Sequence, residues 1–373
     1  MDPATTEGHR ERPDAGEGWV TDVLGPGFEQ LTLPLAPDDE GEVVATLVRY
    51  TGGANGDGAP PSPRRWRWPW EHEPEPQPQP AASGCDVLYV HGWSDYFFNP
   101  ELARFWSDAG ARFYALDLRK YGRSLREWQT PGYMTDLAVY DEDIEAALGA
   151  IAREGGPEAS ARPLILVGHS TGGLTLSLWA ARNPGRAAAL VLNSPWLEFQ
   201  LSGIGRQAIQ PVIGFRARLD PMGPLPNVDL GFYTRSIAKE LDGEWEYDHA
   251  WRPDRGFRTH PAWLTAILAG HATVAAGIDV GAPVLTLVSA RSVLQATWDD
   301  AMLTSDIVLV VDEIARQSLK LGPNVTVARI DGALHDVFLS REPARAAAYA
   351  AVTRWLEGYA PGTDREAPPT AGA

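Results

Sequence analysis

The chain has 373 residues and a formal net charge of −17, from 49 acidic and 32 basic side chains. A surface this acidic repels phosphate backbones and argues against nucleic acid as a partner, while a neutral ester, amide or lipid-like substrate suits it better. No apolar run reaches the roughly 18 residues of a membrane span, so stable membrane insertion is not expected. One cysteine, Cys85, excludes an internal disulfide, and Met1-Asp2-Pro3 does not open a basic-then-apolar leader. The expectation is a cytoplasmic protein with one large core and an insertion, its oligomeric state open.

The polar stretch 1–27 is expected to be flexible, above all residues 1–18. Two strands, Phe28–Leu35 and Glu42–Tyr50, joined through Ala36-Pro37-Asp38-Asp39, read as an antiparallel hairpin. Residues 51–84 interrupt the pattern with Gly/Pro-rich sequence, Arg64-Arg65-Trp66-Arg67-Trp68-Pro69-Trp70 and a Pro/Glu/Gln tract, and read as an inserted surface loop. Then strands and helices alternate: strand Asp86–Val90, helix Pro100–Ala109, strand Arg112–Leu118, helix Met134–Arg153, strand Pro163–Val167, helix Gly172–Arg182 and strand Ala188–Leu192. This order implies an α/β fold with a mostly parallel central sheet and helices on both faces. The pattern breaks over 195–281, rich in Trp, Gly and Pro, with helix-like pieces at Phe232–Glu240 and Trp263–Ala276; this reads as an inserted cap. Strands resume at Pro283–Val288 and Asn324–Ile330, a helix at Glu342–Tyr359 closes the core, and 361–373 reads as a frayed tail.

The chemistry centres on Gly168-His169-Ser170-Thr171-Gly172. A Gly-x-Ser-x-Gly match is weak alone, but here an apolar strand leads into it and an apolar-faced helix leads out. A serine on such a turn takes strained backbone angles and projects its hydroxyl above the sheet, and the flanking glycines keep neighbouring chains from colliding. A serine hydroxyl needs a base. His335, in the turn after the last core strand, stands where a parallel sheet places ligands, whereas His249, His260 and His271 lie in the interrupted region. The base needs a carboxylate. None follows Val284–Val288 closely, and the candidates are Asp306, which is favoured, then Asp312 and Asp300. Backbone N–H groups of Thr171 and of Trp93, in His91-Gly92-Trp93 after the first parallel strand, are candidate oxyanion donors. His91 itself reads as a brace for that turn and Cys85 as a small buried residue. Trp196, His169, Tyr233 and Trp251 are candidate substrate-binding residues, in an apolar acyl or aryl pocket or simply the core of the cap. No metal or cofactor is called for.

Taken together these pieces resemble the α/β-hydrolase superfamily, in particular its monoacylglycerol-lipase or serine-aminopeptidase-like branch. His91-Gly92-Trp93 is similar to its oxyanion segment. Asp117-Leu118-Arg119-Lys120-Tyr121-Gly122-Arg123-Ser124 resembles an Asp-x-Arg-Gly-x-Gly-x-Ser stretch with Lys120 in place of glycine, and Gly332-Ala333-Leu334-His335-Asp336 resembles the segment carrying the histidine. The resemblance covers about residues 28–50, 85–194 and 283–360. The chain departs from it at Ser289–Ser305, where the link is longer, as if about a dozen residues were inserted ahead of the acid. The resemblance implies a serine hydrolase acting on carboxylic esters through an acyl-enzyme. An acyltransferase or a short-peptide or amide hydrolase could use the same residues, and the contrasting class is a non-catalytic ligand-binding homologue.

Overall fold

The computed structural model describes residues 18–52, 79–155, 162–199, 202–227 and 229–359. Its strands are β1 (Val20–Thr21), β2 (Phe28–Asp38), β3 (Gly41–Tyr50), β4 (Asp86–Val90), β5 (Arg112–Asp117), β6 (Leu164–His169), β7 (Ala189–Asn193), β8 (Val284–Ser289) and β9 (Val325–Ile330). Its helices are α1 (Pro100–Asp108), α2 (Tyr140–Gly155), α3 (Thr171–Arg182), α4 (Ser202–Leu219), α5 (Phe232–Ile237), α6 (Pro261–Ala276), α7 (Val311–Ser318) and α8 (Glu342–Tyr359). The strands form one nine-stranded sheet in the order β1-β2-β3-β5-β4-β6-β7-β8-β9. β1–β3 are antiparallel, and β5, β4 and β6–β9 run parallel to one another. This is an α/β-hydrolase fold.

The central strands are apolar throughout because both faces are covered. Alternate residues divide cleanly between two cores. Leu88, Val90, Tyr114, Leu116 and Leu166 pack with Tyr140 and Ile144 of α2, Leu174 and Trp179 of α3, and Trp263 and Ile267 of α6. Val87, Tyr89, Phe113, Ile165 and Val167 pack on the other face with Leu102 and Trp106 of α1 and Val352 and Trp355 of α8.

Several sequence boundaries move. β2 continues through Ala36 and Pro37 to Asp38 past an irregularity in register, so the hairpin turns at Asp39-Glu40. The helix expected from Met134 begins at Tyr140, after a 3₁₀ turn at Leu137–Val139 capped by Asp136. The interrupted region contains the 18-residue helix α4, which the periodicity did not suggest. Residues 1–17, most of the inserted loop including Arg64–Trp70, and the tail lie outside the described residues. The flanks of that loop are described: Thr51 is bonded to Gly27 and Ala82 to Ala109, at the end of the sheet where β4 and β5 begin, opposite the end where β6 delivers Ser170.

Candidate active site

The parallel strands deliver their last residues to one edge. β6 ends at His169, paired in register with Asn193 at the end of β7. The next residue, Ser170, has φ 50° and ψ −115° and forms the N-terminal cap of α3. A non-glycine residue at positive φ is costly and persists only where surrounding structure imposes it. Here Ser170 N–H donates to Asn193 O at 3.0 Å, and Ser170 O accepts from Trp196 N–H at 2.9 Å. Glycine at 172 is a steric requirement, since a Cβ there would stand 2.3 Å from His91 O and 2.4 Å from Val90 O. That contact brings the loop after β4 against the start of α3. A Cβ on Gly92 would lie 3.1 Å from Ser170 Cβ, so the stretch His91-Gly92-Trp93 runs across the serine. Thr171, the first residue of α3, has an N–H with no acceptor inside the helix.

His91 is locked. Its Nδ1–H donates to Gly92 O at 2.7 Å, and its Nε2 accepts from Leu118 N–H at 3.1 Å. Burial pushes its pKa down, which keeps the ring neutral as that pattern requires. His91 therefore braces the turn.

His335 is 2% exposed, and its Nδ1–H donates to Asp306 Oδ2 at 2.9 Å. Asp306 is fully buried, and its Oδ1 accepts from Val308 N–H and Leu309 N–H, which turns Oδ2 to the histidine. The long link before Asp306 closes on itself. Asp306 N–H donates to Arg291 O, Val293 N–H donates to Asp306 O, and a parallel bridge joins Ser292 to Asp306. Asp306 thus stands just beyond the end of β8, as if the intervening residues were absent. Asp312 makes an exposed pair with Arg329, and Asp300, itself exposed, sits at the start of a 3₁₀ turn. Neither approaches His335. Nε2 of His335 is buried and has no hydrogen-bond partner among the described residues, so no bond to Ser170 Oγ is formed. Catalytic contacts of this kind are often long until substrate binds.

The His335 turn is held by residues that sequence reasoning did not single out. Asp336 Oδ1 accepts from Asn193 Nδ2 at 2.6 Å and from Phe338 N–H, and Asn193 Oδ1 accepts from Val337 N–H. His169 is buried with its ring centroid 5.1 Å from that of His335. Its Nδ1 lies 3.4 Å from Asp95 and 3.7 Å from Asp336. Arg252, from the segment between β7 and β8, is buried and donates to Asp95 at 3.1 Å. Burial alone would raise Asp95, but His169 and the Arg252 guanidinium outweigh it and hold the carboxyl at about 2. Burial likewise opposes charge on His169, yet Asp336 and Asp95 raise its pKa. Asp95 follows the oxyanion segment closely enough to draw attention. Arg252 carries no sequence signal, because only the fold brings it to Asp95.

Tyr233 of α5 packs edge-on to His335, at 5.6 Å between centroids, beneath Arg252, and its hydroxyl is buried without a partner among the described residues. Trp196 packs on Trp263 and His271, and Trp263 in turn lies 3.9 Å from Trp93. Trp251 is set apart from this group, against Tyr96 and the Arg123 guanidinium. Cys85 is buried, which pushes its thiol up to about 11. Among the described residues no group of three or more His, Cys, Asp or Glu is arranged to hold a metal.

A strained serine between a parallel strand and a helix, at the sheet edge that also carries a buried His–Asp pair, defines an α/β hydrolase. The chain belongs to the Hydrolase_4 family, described as serine aminopeptidase, S33, whose model matches residues 85–291. It is 26% identical over 278 residues to a monoacylglycerol lipase of Mycolicibacterium smegmatis, covering 73% of this chain and 88% of that protein. Its fold is similar to that of a monoacylglycerol lipase of Paleococcus ferrophilus, with TM-score 0.52 and 19% identity over 74% of this chain and 97% of the other. It is also similar to a thermostable carboxyl esterase of Bacillus coagulans, with TM-score 0.56 and 14% identity over 88% of this chain and 98% of the other.

Proposed function

We propose that the protein is a serine carboxylic ester hydrolase that works through an acyl-enzyme on a neutral ester with an apolar acyl or aryl group. The observation that carries this reading is the 2.9 Å contact of His335 Nδ1 with Asp306 Oδ2, with Nε2 left without a partner among the described residues. Asp306 fixes the tautomer with the proton on Nδ1 and stabilises the imidazolium that forms when Nε2 takes the Ser170 proton. The alkoxide attacks the ester carbonyl, and the N–H groups of Thr171 and Trp93 receive the oxyanion. His335 then protonates the leaving alcohol and activates water for deacylation. Residues 28–194 and 282–360 form the catalytic core, and 195–281 is a cap over it. Trp196, with Trp263 and Trp93 beside it, makes the apolar wall, while Tyr233 presents near the base a hydroxyl without a partner among the described residues. The monoacylglycerol lipase relative favours a fatty acyl ester of a small polyol.

The test uses a fluorophosphonate probe, p-nitrophenyl esters of graded chain length and monoacylglycerols, beside Ser170→Ala. Wild type is expected to label and to turn over at least one ester, and the variant to do neither. Absence of labelling and turnover in wild type would sink the proposal. Faster cleavage of aminoacyl p-nitroanilides than of any ester would move the activity to amides, and acyl transfer to added alcohol exceeding hydrolysis would make the protein an acyltransferase.

A further inference from the structure

The long link that leads to Asp306 reaches across to the segment between β7 and β8. Half-buried Trp298, midway along it, sets its ring edge-on to Phe232 of α5, at 5.7 Å between centroids and 67° between planes. The Arg235 guanidinium lies 3.9 Å over the centre of the same ring and is itself paired with Asp242. Trp298 is tied to its own link in turn. Its Nε1–H donates to Asp300 Oδ1 at 3.3 Å, and Asp299 caps the 3₁₀ turn Asp300–Thr304. Ser305, the residue before Asp306, donates its hydroxyl to Ala301 O at 2.8 Å.

α5 has six residues, too few for a helix to hold its shape without tertiary contacts. At about 3.6 residues per turn, Phe232 and Arg235 lie toward one side of it and Tyr233 and Ile237 toward the other. Tyr233 and Ile237 pack with Leu334 and Leu339, on either side of His335 in the chain. The Tyr233 ring meets that of His335 at 5.6 Å and 76°, with the Arg252 guanidinium 5.0 Å above Tyr233. α5 is thus held between the link to Asp306 and the His335 turn. A single hydrogen bond, from Nδ1 to Asp306, lets the imidazole rock about it. An aromatic ring against its side restricts that motion and keeps Nε2 aimed for proton transfer.

We propose that Trp298 is a positioning residue for His335: it clamps α5 so that Tyr233 packs against the imidazole. One stretch of chain thereby supplies both the carboxylate on Nδ1 and the brace on the ring. The effect of Trp298 on turnover rests on the hydrolase reading of Ser170, whereas its effect on Tyr233 does not.

The experiment compares wild type with Trp298→Ala, Trp298→Phe, Tyr233→Ala and the double variant Trp298→Ala, Tyr233→Ala. The first readout needs no substrate. In protein carrying isotope-labelled tyrosine and histidine rings, the nuclear Overhauser effect between Tyr233 and His335 is expected in wild type and Trp298→Phe and lost in Trp298→Ala. The second readout is ester turnover per active site titrated with fluorophosphonate. Trp298→Ala is expected to lower kcat about tenfold with KM within about twofold, because a misplaced base costs rate rather than binding. Trp298→Phe keeps a ring for Phe232 and Arg235 and should recover most of that loss. Tyr233→Ala should lose at least as much, and the double variant no more than Tyr233→Ala, since both act through one contact. A merely structural Trp298 would lower the melting temperature and the titratable fraction and leave kcat per site unchanged. Should Trp298→Ala fail to fold, Arg235→Met, which takes the cation off the indole face and keeps the bulk, is read the same way and should lower kcat about threefold. An Overhauser effect that persists in Trp298→Ala overturns the proposal, as do an unchanged kcat per site or losses that multiply in the double variant. A wild type that cleaves no ester would sink the hydrolase reading, and the Overhauser effect would still decide whether Trp298 sets Tyr233 against His335.

Discussion

His335 and His169 lie with ring centroids 5.1 Å apart, and each has buried carboxylate neighbours, yet their surroundings differ. Among the described residues His335 has one carboxylate within ion-pair distance, Asp306, held at 2.9 Å on Nδ1, and no hydrogen-bond partner on Nε2. His169 has two carboxylates near Nδ1, Asp95 at 3.4 Å and Asp336 at 3.7 Å, without a hydrogen bond to either among the described residues, and Arg252 shares the first of them. The first arrangement orients a ring and leaves one nitrogen open, as proton transfer requires. The second balances buried charge, and it ties the core to the segment between β7 and β8. The same residue types thus serve two purposes, and a directed hydrogen bond to one carboxylate, made by His335 and by neither nitrogen of His169 among the described residues, separates them.

The largest effect expected from this contrast is on turnover. Asp306→Asn should lower kcat by about 10⁴-fold, because the amide no longer holds the proton on Nδ1. His169→Asn should cost far less, about tenfold or below, because His169 supports the site without exchanging a proton. Equal losses in steady-state ester kinetics would erase the distinction. Arg252→Met should act on stability instead. It leaves Asp95 buried without its cation, at a cost of about 3–5 kcal/mol in urea unfolding. An unchanged midpoint would mean that Arg252 does not hold the segment to the core.

The two shifts in this cluster also set a pH dependence of stability. The folded pKa of His169 is raised above its ordinary 6.5, so its contribution is complete below that value and is lost as pH rises through the folded pKa. The folded pKa of Asp95 is about 2 against an ordinary 3.8, so its contribution is present above 3.8 and is lost as pH falls toward 2. The cluster should therefore stabilise most between about pH 4 and 6.5. Urea midpoints across pH should fall on the alkaline side, and less so in His169→Asn. A wild-type curve that is flat from pH 6 to 8.5 would contradict this. The smallest effect belongs to Asp312→Asn: its carboxylate is exposed and paired with Arg329, so turnover should stay within about twofold of wild type.

Much of the frame was legible because its signals are local. The strands of the parallel sheet read as apolar runs because both of their faces are buried. Ser170 stood out through the strand before it and the helix after it, and His335 through its place after the last strand. Asp306 was favoured over Asp300 and Asp312 without being separable from them. Helix α4 was missed because its largest apolar residues point outward, where no core rewards the usual pattern. The helix expected from Met134 was drawn too long, since Asp136 caps a 3₁₀ turn that delays α2.

The sequence by itself determined the alternation of strands and helices, the glycine-bounded serine turn and the order in which serine, aspartates and histidine follow. Those depend on periodicity and on steric limits a few residues wide. Only the tertiary structure decided which aspartate meets His335, through the Ser292–Asp306 bridge that returns a long excursion to the end of β8. It alone also decided that Arg252 neutralises Asp95 across 157 positions of chain. A buried charge is held by whichever opposite charge the fold brings within reach, and distance along the chain carries no record of that choice.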